Sequence, residues 1–183
     1  MSRTPTNQGI TRTAAAVMAY VLTVAAASAA ITRLAFAAPA RRLLRVHFTG
    51  VSHQAGAAAA IWVHNTRIFI GFAVFLSCAY FIQRDERSAR IERAILWACD
   101  GALLLWATGT AALAGVLTGA YGLAQIRAFM PQGPVELTAW TLLIALYIQV
   151  RRQRVRPGRA ARQLALILLV LGASAILELW LGA

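Results

Sequence analysis

The chain has 183 residues, 60% of them hydrophobic and 13% charged, with a mean hydropathy of +0.64. Soluble domains carry about 25% charged residues, so this composition excludes an ordinary soluble domain and indicates an integral membrane protein. All eighteen basic residues are arginine, against six acids, giving a net charge of +12. The aromatic residues lie within apolar runs and no basic groove motif is present. The charge is therefore expected to set topology and meet the head groups of membrane lipids, with no nucleic acid as partner.

Residues 1–13 read as a flexible cytoplasmic tail carrying Arg3 and Arg12. The alanine-rich run 14–31 is the first candidate span. Its positive flank and the small-residue site Ala35-Phe36-Ala37 also fit a cleaved signal peptide, but the run is long for a signal core. Residues 32–53 set Arg33, Arg41, Arg42 and Arg45 among apolar residues, with Pro39 splitting the segment, and are expected to form an interfacial helix and connection.

The second span falls within 55–83; its core, 68–82, has no charge and is entered by His64, Asn65 and Arg67. Arg67 either snorkels to the head groups or pairs with a carboxylate from another helix. In 83–93, Arg84, Arg87, Arg90 and Arg93 interleave with Asp85, Glu86 and Glu92, which reads as a solvated helical turn.

From 94 to 126 only Asp100 is charged, in a capping or snorkelling position. Gly115 and Gly119 form a GxxxG pair, a face that admits another helix closely and places this third span at the centre of the bundle. Cys78 and Cys99, the only cysteines, stand at similar depth on neighbouring helices and read as small packing residues rather than a disulfide.

The stretch MPQGPVE, Met130 to Glu136, then places two prolines, a glycine, an amide and a carboxylate between apolar runs. It breaks the helix, and in a bilayer such backbone survives only where protein or a water-filled cavity shelters it. The fourth span, 134–150, is about 25 Å long at about 1.5 Å per residue. The hydrocarbon core is about 30 Å thick, so the preceding segment is expected to dip in as a broken or re-entrant element. Residues 151–162 carry six arginines and no acid; the fifth run, 164–183, is interrupted only by Glu178.

The fold expected is thus a single all-α domain over 1–183: a polytopic membrane bundle of about five spans, an interfacial helix and a broken segment before the fourth. Twelve arginines fall in the tail and in the second and fourth connections, on one side of such a bundle. The positive-inside rule makes that side cytoplasmic, with the amino terminus inside the cell membrane and the carboxyl terminus outside.

In this topology Asn65, Arg67, Gln132, Glu136 and Glu178 share one depth near the outer leaflet, with His64 beside them. Lone carboxylates in lipid are costly, so a polar cluster is expected, with Arg67 between or against the glutamates. As structure it would pin the broken segment. As chemistry Glu136, Glu178 and His64 are the candidate catalytic acids and bases. No metal-ligand spacing is present, His47 and His53 included, and no phosphate loop, nucleophile elbow or dinucleotide fingerprint. No cofactor is expected.

Three features, in order, resemble the stage II sporulation protein M family of bacterial and archaeal membrane proteins over residues 55 to 183. They are Asn65 ahead of the second run in HNTRIFIGFAVF, the segment PQGPVEL from Pro131 to Leu137 against the family's P-H-G-x-x-E-L, and Glu178 in ASAILEL. Gln132 stands where the family has histidine, and Pro134 follows the glycine. The resemblance implies a multi-pass α-helical protein that in spore formers works with cell-wall hydrolases as a scaffold without catalysis of its own.

The leading expectation is a non-catalytic scaffold or assembly subunit of a membrane complex, with protein partners and a homo-oligomer open. The alternatives are a membrane-embedded enzyme or maturation component using Glu/His acid-base chemistry on a peptide or lipid, and a transporter subunit served by a separate ATPase. The scaffold reading would dock its partner on an outer cavity and short connections. The arginine-rich connections 83–93 and 151–162 could receive the ATPase of the transporter reading and serve lipid contact equally well.

Overall fold

A computed structural model describes residues 8–46, 55–84, 90–129, 132–152 and 155–181. All their regular structure is helical: α1 (Gln8–Ile31), α2 (Ala37–Leu44), α3 (Ala55–Arg84), α4 (Arg90–Tyr121), α5 (Leu123–Phe129), α6 (Gly133–Arg151) and α7 (Pro157–Leu181). Among the described residues, three stretches are long and apolar enough to cross a membrane: Gly9–Leu44, Arg90–Tyr121 and Gly133–Arg151. The apolar part of α3, Thr66–Ile82, is shorter.

The amino-terminal stretch departs from the expected division. Helix α1 begins at Gln8, so residues 8–13 belong to it rather than to a tail, and a π-helical segment, Thr32–Phe36, leads directly into α2. The π segment lies just ahead of Pro39, whose ring crowds the carbonyl four residues back and which supplies no N–H. Looser i→i+5 bonding there lets the rod continue past it. Helix α2 ends at Arg45, the one non-glycine residue with positive φ among the described residues (43°), and residues 47–54 lie outside the description.

Helices α1 and α4 run parallel, because Tyr20 meets Thr108, Ala25 meets Gly115 and Ala29 meets Gly119 in ascending order. Helix α6 is antiparallel to both: its Gln149 reaches Gly9 and Thr13, and its Arg151 reaches Asp100. Helix α7 returns alongside α6, with Ser174 near Glu136. The starts of α1, α4 and α7 and the end of α6 therefore share one end of the bundle.

The expected centre shifts from α4 to α6. Half of the apolar window of α6 is buried, against 22% for α4. Ala139, Leu143, Leu146 and Tyr147 are almost wholly inaccessible, packed with Phe72 and Leu76 of α3, Leu103 of α4 and Leu171 of α7, and Ala145 is fully buried as well. A helix apolar on every side suits a position surrounded by others. Phe72, Trp106 and Trp140 join three helices at ring separations of 5.3 to 6.0 Å.

The glycines of α4 serve the contact with α1 instead. A Cβ on Gly115 would strike the Ala25 carbonyl oxygen and lie 2.7 Å from Ser28 Cβ; one on Gly119 would strike the Ala29 oxygen and lie 2.8 Å from Thr32 Cβ. Only glycine permits that approach of backbone to backbone. The far end of α4 is closed by Arg41, whose Nε donates to the Ala120 carbonyl, and by Tyr121, whose hydroxyl accepts from Val46 N–H at 3.3 Å. Gly122, at φ +94°, then turns the chain into α5.

The large apolar side chains Leu34, Phe81, Trp97, Leu105 and Leu169 are exposed, spread over the outer faces of the rod from α1 to α2 and of α3, α4 and α7. Lipid tails would meet such faces without penalty. Gly115→Ala should lower stability in detergent by about 2–3 kcal/mol through overpacking. Gly109→Ala, where nothing lies within 4 Å of an added Cβ, should leave it unchanged or raise it by up to about 1 kcal/mol. Thermal unfolding of the two variants beside the parent checks the contrast.

Candidate functional site

A cavity of about 780 Å³, open on one side, lies between α1, α4 and α6 at the end of the bundle where α1 and α4 begin. Position along each helix sorts its lining. Gly9, Arg12 and Thr13 of α1, Asp100 of α4 and Arg152 after α6 stand at the outer end; Ala16, Val17, Leu103, Leu104, Ala107 and Ile144 stand further in. Across the inner limit Tyr20 and Thr108 share a hydrogen bond of 2.7 Å between their hydroxyls.

Asp100 is held from α6. Tyr147 Oη donates to Asp100 Oδ1 at 2.6 Å, and Arg151 approaches through Nε, 3.3 Å from Oδ2, and Nη2, 3.2 Å from Oδ2. Tyr147 and Arg151 are four residues apart, hence on one helical face, and so both reach the same carboxylate. The ion pair is partly sheltered, with side-chain exposures of 28% for Arg151 and 33% for Asp100.

A second polar tie lies beside it. Gln149 Nε2 donates to Thr13 Oγ1 at 2.6 Å and to the Gly9 carbonyl at 3.2 Å, and Thr13 Oγ1 donates to the same carbonyl at 2.9 Å. These contacts fix the first two turns of α1 on the last turn of α6.

The expected outer cluster lies at the opposite end of α6. Gln132, 2% exposed, caps α6 through its backbone carbonyl, which accepts from Val135 and Glu136 N–H at 2.9 and 3.1 Å. Its side-chain oxygen has no partner among the described residues. Glu136 lies in the first turn, where the helix dipole favours a carboxylate. Buried Ser174 has its Oγ 3.5 Å from Glu136 Oε1 but only 2.9 Å from the Leu171 carbonyl, which takes its single proton.

Arg67 is exposed on α3. His64, Asn65 and Glu178 lie on α3 and α7 with side chains outside the described residues, as do Met130 and Pro131 of the break. The structure thus brings together Gln132, Glu136 and Ser174. Gly115 and Gly119 are on α4 against α1, and Cys78 and Cys99 are free thiols. Among the described residues no group of three or more His, Cys, Asp or Glu side chains could hold a metal ion.

Sequence reading missed the Asp100, Tyr147, Arg151 group and the Gln149, Thr13 tie. The available signal was a tyrosine and an arginine four residues apart at the end of an apolar run, opposite a solitary aspartate on another span.

Fold and site together define an all-helical bundle in which, among the described residues, three stretches are long and apolar enough to cross a membrane and polar ties cross between helices at one end. No family model, curated protein or solved structure matches the chain.

Asp100→Ala, which strands Arg151, should destabilise the protein by roughly 1–3 kcal/mol. The double variant Asp100→Ala/Arg151→Ala should lose less than the sum of its single changes, with a coupling of about 0.5–3 kcal/mol. A double-mutant cycle of thermal stability in detergent reads both.

Proposed function

We propose that this protein is a non-catalytic scaffold or assembly subunit of a membrane complex, with α1, α3, α4, α6 and α7 as five spans. The amino terminus is then cytoplasmic and the carboxyl terminus outside. The observation that supports the scaffold reading is the use of the interior polar side chains at the cavity end: Asp100 is bound to Tyr147 and Arg151, and Gln149 to Thr13 and Gly9. These groups join helices to one another and fix their register. Groups engaged in this way make a rigid frame rather than a reactive centre. The resemblance of PQGPVEL and its flanking signals to the stage II sporulation protein M family points in the same direction.

Orientation is supported by the arginines. The common end of α1, α4, α6 and α7 carries Arg12, Arg90, Arg93, Arg151, Arg152, Arg156, Arg159 and Arg162. An arginine-rich end stays on the cytoplasmic side of a membrane.

Single cysteines at positions 86 and 156, introduced with Cys78 and Cys99 replaced by serine, should react with a membrane-impermeant maleimide only after the cells are opened. A cysteine at 128 should react in intact cells. Labelling of position 156 in intact cells would reject the orientation.

For the scaffold role, the tagged full-length chain should retain a stoichiometric protein partner through two purification steps in mild detergent. Glu136→Gln and Glu178→Gln, at the expected outer cluster, should lower partner recovery while leaving the yield of the chain itself unchanged. A wild-type chain that isolates alone and stable, with the same variants folding but losing the cellular phenotype, would instead favour acid-base chemistry or transport.

A further inference from the structure

We propose that the cavity between α1, α4 and α6 is a binding site for one anionic phospholipid, drawn from the leaflet at the arginine-rich end. The site would hold its phosphate at the outer end and part of one acyl chain along the wall. The inference goes beyond the scaffold role and rests only on the membrane topology proposed above.

Three observations converge on that ligand. The first is the gradient of the lining. Arg12, Thr13 and Arg152 stand at the outer end, and Val17, Leu104 and Ala107 stand further in. From Arg12 to Tyr20 the wall advances about 12 Å at about 1.5 Å per residue, the direction in which a lipid changes from head group to chain. A water-soluble metabolite would not use this long apolar wall, and a plain hydrocarbon would not use the arginines.

The second is charge. Asp100 also lines the cavity, but Arg151 already bonds its carboxylate. Arg12 and Arg152 are exposed at the outer end, and neither has a carboxylate partner among the described residues. Two guanidinium groups, one on α1 and one just past the end of α6, suit a phosphate, which they can contact through several N–H donors at once.

The third is access. Tyr20 and Leu104, both on the wall, are 42% and 59% exposed, so the cavity opens sideways between helices onto surface that faces hydrocarbon in the proposed topology. At about 780 Å³ it lies within the size range of small-ligand sites and can take a head group with part of one chain, the remainder lying in the bilayer.

The test uses purified full-length protein in a neutral detergent, titrated with phosphatidylglycerol, phosphatidylcholine or sodium phosphate and followed by native mass spectrometry. Wild type should take one phosphatidylglycerol about tenfold more tightly than phosphatidylcholine, and inorganic phosphate should not displace it. Arg12→Gln/Arg152→Gln should bring the two lipids to near parity, whereas Arg12→Lys/Arg152→Lys should keep most of the preference. Arg93→Gln/Arg162→Gln, at the same end but outside the cavity, should behave as wild type. Ala16→Trp, which fills the wall, should weaken both lipids at unchanged melting temperature.

Equal binding of the two lipids by wild type overturns the proposal. So does a preference lost equally in the Arg93→Gln/Arg162→Gln control, which would mean diffuse attraction to the surface, and so does displacement by inorganic phosphate, which would mean a site for a free anion. Should the glutamine pair fail to fold, the lysine pair and Ala16→Trp decide the matter. An inverted topology would appear in the maleimide labelling and leave these affinities unchanged.

Discussion

The close approach of α1 and α4 at Gly115 and Gly119 is the constraint on which the rest of the bundle depends. There backbone meets backbone at Ala25 and Ala29. Toward the other end the contact changes character: the gap between the helices is spanned by the side chain of Tyr20 reaching Thr108, and beyond it the cavity opens. Two parallel helices pinned tightly at one end and held apart by a tyrosine nearer the other must enclose a wedge. Helix α6 closes the third side of that wedge with Ile144, Tyr147 and Ile148. The glycine seam and the cavity thus lie several turns apart along the same pair of helices.

The polar ties follow from the same geometry. Between apolar helices in a bilayer no water drives association, and van der Waals packing with cross-helix hydrogen bonds decides which faces meet. The seam fixes α1 to α4, but small residues alone leave the third helix free to slide along its axis. Asp100 with Tyr147 and Arg151 fixes α6 against α4, and Gln149 with Thr13 and Gly9 fixes α6 against α1. Both ties lie at the end of the bundle where the cavity opens. At the narrow end Arg41 on Ala120 performs the equivalent service for α2.

How much of this the sequence disclosed depends on the range over which each signal acts. The all-helical class follows from local composition, and the structure has it. Of the five runs read as spans, three stretches among the described residues are long and apolar enough to cross a membrane, and the break read at 130–136 falls partly outside the described residues. The first interruption nevertheless falls at Gly122, because a lone glycine in a glycine-rich apolar run gives no sign that it will adopt positive φ. Residues 8–13 read as tail because their polarity is what a solvated segment shows. Their helix is sustained by Gln149, distant in sequence and invisible to any window. The central place of α6 was hidden for a related reason: an evenly apolar helix gives no preferred face, and burial on all sides can be recognised only once its neighbours are placed. Of the expected outer cluster, Gln132 and Glu136 could be placed on one helical turn from spacing alone, whereas a pairing with Arg67 depends on the rotation of α3, which a helix without a marked polar stripe does not encode.

Arginine content carries two meanings here. Read as a count along the chain, the arginines bear only on the orientation proposed above, and any of them serves as well as any other. Read in three dimensions they divide. Arg151 is bound to Asp100 and is part of the frame, Arg41 closes a helix end, and Arg12 with Arg152 remains at the mouth of a cavity whose walls become apolar with depth. A charge that only sets orientation can stand anywhere in a connection. Two that stand on separate segments, one on α1 and one just past the end of α6, at the mouth of one cavity, define a position as well as a sign, and a position is what a bound head group requires.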